Sequence, residues 1–326
     1  MSTATTYRGA IIRAMADELA ADPDVFVLGE DVGAAGGAFK TTEGLFERFG
    51  KERVLDTPIS EQAIVGAAIG AAVQGLRPIA EVMFADFAAV CFDQFVNEMA
   101  AYRYMTGGQV SLPLTVRMAN GAGTGFGAQH SHAAENWFLN VPGLKIAVPA
   151  TPADAYRLLR AAVRDPDPVL YFEHKGLFGL KGDVPDDPEP LALGRAAIAR
   201  PGRDVTVVAA QAMRHRALEA AERLAVEGIE AEVIDPRTLV PFDLETVLDS
   251  LVRTNRLVIV QEASPGGSWG ATLVAAVMVE HFESLDAPPL LVSGDDTPVP
   301  YAGTLEAAWL PDADRIAEAI RTTVAF

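Results

Sequence analysis

Apolar positions along the first half of the chain follow two alternating rhythms. Residues 7–20 and 92–104 carry them at helical spacing. Short apolar runs at 25–28, 54–55, 78–83, 112–117, 144–148 and 169–173 instead stop at Gly, Pro or polar residues, as strands do. Thr151-Pro152-Ala153-Asp154 reads as a helix start, with Thr as cap and Pro at the first position. Alternation of this kind predicts a mostly parallel sheet covered by helices on both faces. The second half repeats it, with strands at 205–209, 231–234, 257–261 and 290–292 and helices at 214–227, 244–253, 269–282 and 313–322. Residues 182–190, rich in Pro and Asp and without periodicity, mark the boundary. The expectation is an α/β protein of two doubly wound domains, residues 1–185 and a smaller 201–326, with a linker at 186–200.

One tract departs from this regular pattern. Asp56-Thr57-Pro58-Ile59-Ser60-Glu61 leads from a strand end into residues 63–73, which are apolar around almost the whole helical circumference. Such a helix is expected to be buried. Gly66 and Gly70, one turn apart, leave room for another backbone, and Ser60 can act as cap. Glu61, in the first turn, has two readings. It favours the helix dipole, an effect of about 0.3–1 kcal/mol, or it is a lone carboxyl delivered to a reactive site.

The 326 residues are 50% hydrophobic and 21% charged, enough for two well-filled cores. A net charge of -18 weighs against nucleic acid and anionic membranes, which need neutralising cations. The single cysteine, Cys91, allows no internal disulfide and fits a reducing compartment. Residues 1–13 lack the basic start and apolar block of a signal peptide. The most apolar run, 63–76, falls short of the roughly 20 residues that a bilayer requires. A cytoplasmic protein without a membrane span is expected.

Common chemical motifs are mostly missing. Gly121-Ala122-Gly123-Thr124-Gly125 follows a strand but leads into Gln129-His130-Ser131-His132 rather than a helix, which weakens a dinucleotide-binding reading. No P-loop occurs. His130 and His132 allow three readings: a zinc pair, polar decoration of a surface loop, or a histidine presented to substrate. His174, His215 and His281 complete the histidines, the last two in expected helices.

Ordered blocks carry a more specific signal. They are Leu28-Gly29-Glu30-Asp31-Val32-Gly33, the Asp56 to Glu61 tract, Phe84-Ala85-Asp86-Phe87, Gln129-His130-Ser131, Pro142-Gly143-Leu144-Lys145, Ile234-Asp235-Pro236-Arg237-Thr238 and Pro298-Val299-Pro300-Tyr301. In this order they resemble the β subunits of thiamin-diphosphate-dependent E1 components of 2-oxoacid dehydrogenase complexes, in the transketolase-like group. The resemblance implies an N-terminal pyrimidine-binding-type domain and a transketolase C-terminal-type domain serving dimer and E2 contacts.

By that resemblance Glu61 is the catalytic glutamate that hydrogen-bonds N1′ of the cofactor's aminopyrimidine. Phe87 stacks on the pyrimidine and Met83 lines the same wall. His130 is the second catalytic residue, assisting acyl transfer to the lipoyl group of E2, while His132 stands where many members have Gln. A structural potassium ion, held largely by backbone carbonyls, is implied at Leu114, Ala162, Val163, Asp165 and Asp167. The family's Gly-Asp-Gly motif for diphosphate and Mg2+ is absent, since Gly182-Asp183-Val184 and Gly294-Asp295-Asp296 both fail it. The chain is therefore expected to hold half a cofactor site and to need an α subunit that holds Mg2+, as an α2β2 heterotetramer.

The expected reaction is decarboxylation of pyruvate or a branched-chain 2-oxoacid with acyl transfer to lipoyl-E2. Residues 85–94 and Glu173-His174-Lys175 look like the acetoin dehydrogenase type, a close alternative. A non-catalytic assembly subunit is the alternative of a different class, and it needs neither Glu61 nor His130.

Overall fold

The computed structural model describes residues 2–186 and 189–326, so Asp187 and Pro188 of the expected linker lie outside it. By internal contacts the chain forms two units, residues 1–120 with 140–193, and residues 121–139 with 194–326.

In the first unit β1 (Ser2–Thr6) leads into α1 (Tyr7–Ala21), whose start is capped by Thr6 Oγ1 accepting from Gly9 N at 3.0 Å. There follow β2 (Val25–Gly29), β3 (Val54–Asp56), α2 (Glu61–Val73), β4 (Arg77–Val82), β5 (Thr115–Asn120), β6 (Lys145–Ala147), α3 (Pro152–Arg164), β7 (Val169–His174) and β8 (Lys181–Pro185). Strands β6, β7, β5, β4, β2 and β3 lie side by side in that order, all parallel. Both β5 and β7 are buried at every position, as expected where both faces of a parallel sheet are covered. Thr151 caps α3 as read, its Oγ1 accepting from Asp154 N at 3.1 Å.

Several elements differ from expectation. Helix α2 buries Ile64, Val65, Ala68, Ile69 and Ala72, while Gln62, Ala63, Ala67 and Gly70 are exposed. A helix apolar on all sides gives no signal of which face meets the sheet, and within this chain only one does. A Cβ on Gly66 or Gly70 would meet nothing within 4 Å, so among the described residues no other backbone approaches there. Ser60 occupies the cap position without a side-chain cap bond. Residues 92–104 contain a π-helical turn, Gln94–Met99, and a short helix, Tyr102–Met105, rather than one regular helix. Strand β5 starts at Thr115, beyond Pro113, whose ring has no N–H for a ladder.

Part of the tract read as irregular is strand. β8 pairs antiparallel with β1, Thr6 opposite Lys181 and Ser2 opposite Pro185. β9 (Ala197–Arg200), inside the expected linker, is an edge strand of the second unit.

That unit continues through β10 (Val205–Ala209), α4 (Gln211–Ala225), β11 (Ala231–Asp235), α5 (Leu244–Thr254), β12 (Leu257–Val260), α6 (Trp269–Glu280), β13 (Leu290–Val292), α7 (Gly303–Trp309) and α8 (Ala313–Ala325). Its sheet runs β13-β12-β10-β11-β9, parallel except for β9. Val207, Val258, Val260, Leu224, Ile316 and Ile320 lie in its core. Helix α7 has no counterpart in the sequence reading, and it carries Glu306 to the glycine-rich loop at 121–127. Among the described residues no helix is long and apolar enough to cross a membrane.

Candidate active site

Glu61 opens α2 and is partly exposed. It stands among other acids: burial, then the charges of Asp31 and Glu61, raise the pKa of Glu30 above the ordinary carboxylate value. Asp56, at the end of β3, fixes the loop that carries these neighbours, its Oδ1 accepting from Gly33 N at 2.6 Å. Thr57 N donates to Gly29 O at 2.9 Å, so the start of the tract is tied to the end of β2 and to the loop that follows it.

Beyond β4 the chain turns through Ala85–Ala89 and brings an aromatic cluster beneath the same region. Phe39 and Phe84 meet edge to face at 5.2 Å, Phe84 and Phe87 at 5.6 Å, and Lys175 Nζ lies 5.8 Å from the Phe84 ring centre. Phe84, Ala85 and Ala88 are buried, whereas Met83 and Phe87 stay partly open. Cys91 links this turn to Glu61. Its Sγ donates to Phe87 O at 3.7 Å, and its thiol is pushed up to about 12, first by burial and then by the charge of Glu61. The protonated thiol thus leaves Glu61 without a further anionic neighbour at this point.

Three charged side chains lie beneath the strand ends, of which the sequence reading named only Glu173, as part of a block and without a role. Arg117 donates from Nε and Nη2 to Glu173 at 2.6 and 3.0 Å, and from Nη1 to Glu81 at 2.9 Å. All three are buried. Burial pushes Glu173 up to about 7 against the pull of Arg117 and with a smaller push from Glu81. Thr41 Oγ1 adds a bond to Glu81 at 3.3 Å. The available sequence signal was an acid or a base inside strands that a parallel sheet buries on both faces.

The histidine loop belongs to the second unit. It is closed at its base by Gly121 N donating to His132 O at 3.4 Å. Gly121, Gly123, Gly125 and Gly127 all have positive φ, between 71° and 86°, which glycine adopts without strain. Two carboxylates grip the turn: Glu262 accepts from Ala122 N, and Glu306 from Gly123 N at 2.8 Å and Gly125 N at 3.0 Å. Ala122 packs with Val299, Trp309 and Leu310. His130 follows on a 3-10 turn, its N–H donating to Gly127 O at 3.3 Å. His132 lies against Trp137, ring centres 5.3 Å apart, over a cavity of about 180 Å³ that Asn136, Ser264, Ser268 and Trp309 also line. Among the described residues no cluster of three or more His, Cys, Asp or Glu is placed to hold a metal ion.

The five residues of the expected potassium site lie in the first unit, and each already has a protein partner. Leu114 O accepts from Val169 N at 2.9 Å, Ala162 O from Asp165 N at 3.2 Å and Val163 O from Arg77 Nη1 at 3.1 Å. Lys145 Nζ lies 2.6 Å from Asp165 Oδ1 and 3.5 Å from Asp167 Oδ2, and Arg103 also pairs with Asp167.

Comparison with known proteins identifies the architecture. The transketolase pyrimidine-binding domain matches residues 3–181 and the transketolase C-terminal domain residues 194–316. The chain is 47% identical to the acetoin:2,6-dichlorophenolindophenol oxidoreductase β subunit of Cupriavidus necator, over 99% of this chain and 98% of that protein. It is 45% identical to the mitochondrial pyruvate dehydrogenase E1 subunit β-2 of Oryza sativa subsp. japonica, over 97% and 85% respectively. Against the 2-oxoisovalerate dehydrogenase β subunit of Bacillus subtilis the identity is 46%, over 98% and 99%. A solved structure described as a split-gene transketolase, inactive β4 tetramer, superposes with a TM-score of 0.81 at 26% identity, covering 98% of each chain. The chain belongs to the transketolase-like family, alongside the β subunits of pyruvate dehydrogenase E1, 2-oxoisovalerate dehydrogenase and acetoin oxidoreductase.

Proposed function

We propose that this chain is the β subunit of a heteromeric E1 enzyme that, with an α subunit, decarboxylates a 2-oxoacid on thiamin diphosphate and passes the acyl group to a lipoyl-bearing E2. The observation that carries the reading is Glu61 itself, a partly open carboxyl at a helix start whose charge reaches Cys91, in the turn where Phe87 stays partly open. A carboxyl beside an apolar ring face suits an aminopyrimidine, which has an acceptor nitrogen on its edge and a flat apolar surface. When bound, thiamin diphosphate supplies the nucleophilic carbon that attacks the 2-oxo group. Glu61 holds a proton at N1′, and Phe87 and Met83 orient the pyrimidine. Partial exposure of Glu61 leaves the exclusion of water to a partner. His130 moves a proton during transfer to the lipoyl group, a role suited to imidazole near neutral pH.

The remaining half of the site falls to the α subunit. This chain offers no Gly-Asp-Gly sequence for diphosphate and Mg2+, and its relative of similar fold is described as inactive as a β4 tetramer. An α2β2 assembly follows, with the active sites completed by α. A potassium ion at Leu114, Ala162, Val163, Asp165 and Asp167 fits through the carbonyls, each of which keeps a second lone pair beside its protein donor. Buried, free Cys91 suits a reducing, cytoplasmic setting.

Acetoin cleavage is the second reading, favoured by the 47% identity to an acetoin oxidoreductase β subunit. Reconstitution with the α subunit, thiamin diphosphate and Mg2+, followed by a panel of pyruvate, branched-chain 2-oxoacids and acetoin, decides between them. Native turnover by a Glu61→Ala complex would overturn the catalytic assignment in favour of an assembly role, and robust decarboxylation by the isolated chain would remove the need for α.

A further inference from the structure

The glycine loop before His130 has the backbone form that binds anions. Glycines with positive φ at alternate positions turn successive N–H groups inward, and such concave nests hold phosphate or carboxylate groups. Here the anion belongs to the same unit. Glu306, on α7, accepts from Gly123 N and Gly125 N, and Glu262 accepts from Ala122 N. Glu306 is 4% exposed, so water does not compete well for its oxygens. The amides of Ala122, Gly123 and Gly125 are thus already taken by the protein's own carboxylates rather than offered to an outside phosphate. A hydrogen bond to a charged acceptor is stronger than a neutral one, and two of them converge on Glu306 within the few residues that precede His130.

We propose that Glu306 is a positioning residue for acyl transfer, holding the loop in the shape that presents His130. The claim rests on the reading of His130 as the residue that serves transfer to the lipoyl group. Packing of Ala122 on Trp309 and Leu310 fixes where the loop sits. The carboxylate fixes how its backbone turns, because only an acceptor at that point satisfies both amides. Decarboxylation depends on Glu61, in the other unit, and does not pass through this latch.

The test uses the complex of this chain with its α subunit, thiamin diphosphate and Mg2+. In it Glu306→Gln is expected to slow acylation of a free lipoyl domain about tenfold, the rate equivalent of one charge-assisted hydrogen bond. Substrate-dependent reduction of an artificial electron acceptor should stay within about twofold of wild type, since that assay bypasses the lipoyl group. In a His130→Ala background the same substitution should cost nothing further in acylation, the signature of two residues acting as one unit. Hydrogen exchange of the 121–132 segment, measured on the same complexes, should accelerate in Glu306→Gln. If that variant does not assemble, Glu306→Asp keeps the charge, shortens the reach and should give the same split between the two assays. Equal losses in both assays, full additivity with His130→Ala or unchanged exchange would overturn the proposal. A wild-type complex inert toward every 2-oxoacid and acetoin would defeat the functional reading alone, and the exchange rate then still decides whether Glu306 holds the loop.

Discussion

Gly33 and Asp56 meet so closely that a Cβ on Gly33 would stand 2.8 Å from Asp56 Cγ, well inside van der Waals contact. The contact is also a bond, since Asp56 accepts from the Gly33 N–H. Gly33→Ala should therefore expel the Asp56 carboxylate and cost about 1–3 kcal/mol, the usual penalty of overpacking. Because this loop carries Glu30 and Asp31 beside Glu61, affinity of the reconstituted complex for thiamin diphosphate should fall as well. Denaturant unfolding and cofactor titration measure the two effects, and an unaltered variant in both would show that the loop is free to shift.

Phe87→Ala removes the uncovered ring next to Cys91. An aromatic contact is worth about 0.5–1.5 kcal/mol beyond its buried area, which corresponds to a cofactor Kd raised by about two- to tenfold. Phe84→Ala should instead lower stability, because Phe84 is buried between Phe39 and Phe87. Calorimetric titration of the two complexes separates binding from folding.

Arg117 neutralises two buried carboxylates at once. Arg117→Ala leaves both uncompensated, and stability should drop by about 3–5 kcal/mol. A drop below about 1 kcal/mol in urea unfolding would mean that water reaches Glu81 and Glu173.

The same triad gives a pH dependence of definite sign. Glu173 in the folded state titrates at about 7, above the usual carboxylate range, because burial disfavours its charge. The folded state thus binds the proton more tightly than the unfolded chain does. The stability contributed by this group is complete below the usual carboxylate pKa and is lost as pH rises through about 7. Glu173→Gln cannot titrate, so its melting temperature should decline less between pH 5 and pH 8 than that of wild type. Parallel declines would place the titration elsewhere.

Lys145, Arg103 and Arg77 already place positive charge around the expected potassium ligands. Potassium chloride should nevertheless raise the melting temperature above that in equimolar choline chloride, by the equivalent of about 1.4 kcal/mol at a tenfold excess over Kd. Identical melts in the two salts would show that the protein's own cations suffice.

What could be read in the sequence followed from how local each signal is. The place of Glu61 at a helix start was legible because the break at Pro58 and the onset of α2 lie within a few residues of it. The loop position of His130 was legible because the glycines before it exclude a helix, and the structure places it on a short 3-10 turn. Glu262 and Glu306 were not, since their partners are amides 140 and 183 residues away and a backbone amide has no sequence signature. Arg117 and its two acids were hidden for a related reason: each looks like a polar interruption of its own strand, and only register brings them together. The outward face of α2 could not be assigned at all, because Ala and Gly on every side leave no contrast between faces.

The pairing of β1 with β8 also bears on how the chain is made. Ser2–Thr6 leaves the ribosome early, but its partner Lys181–Pro185 is synthesised only after nearly all of the first unit. At about 5–20 residues per second, that strand waits on the order of ten to thirty-five seconds with its hydrogen-bonding edge unpaired. The six parallel strands β2 to β7 have all been made once β7 has emerged, so this small ribbon is the last strand pairing within the first unit to close. Residue 194, where the long second tract of the other unit begins, follows soon after it, so closure of the ribbon comes before synthesis of all of that unit except residues 121–139.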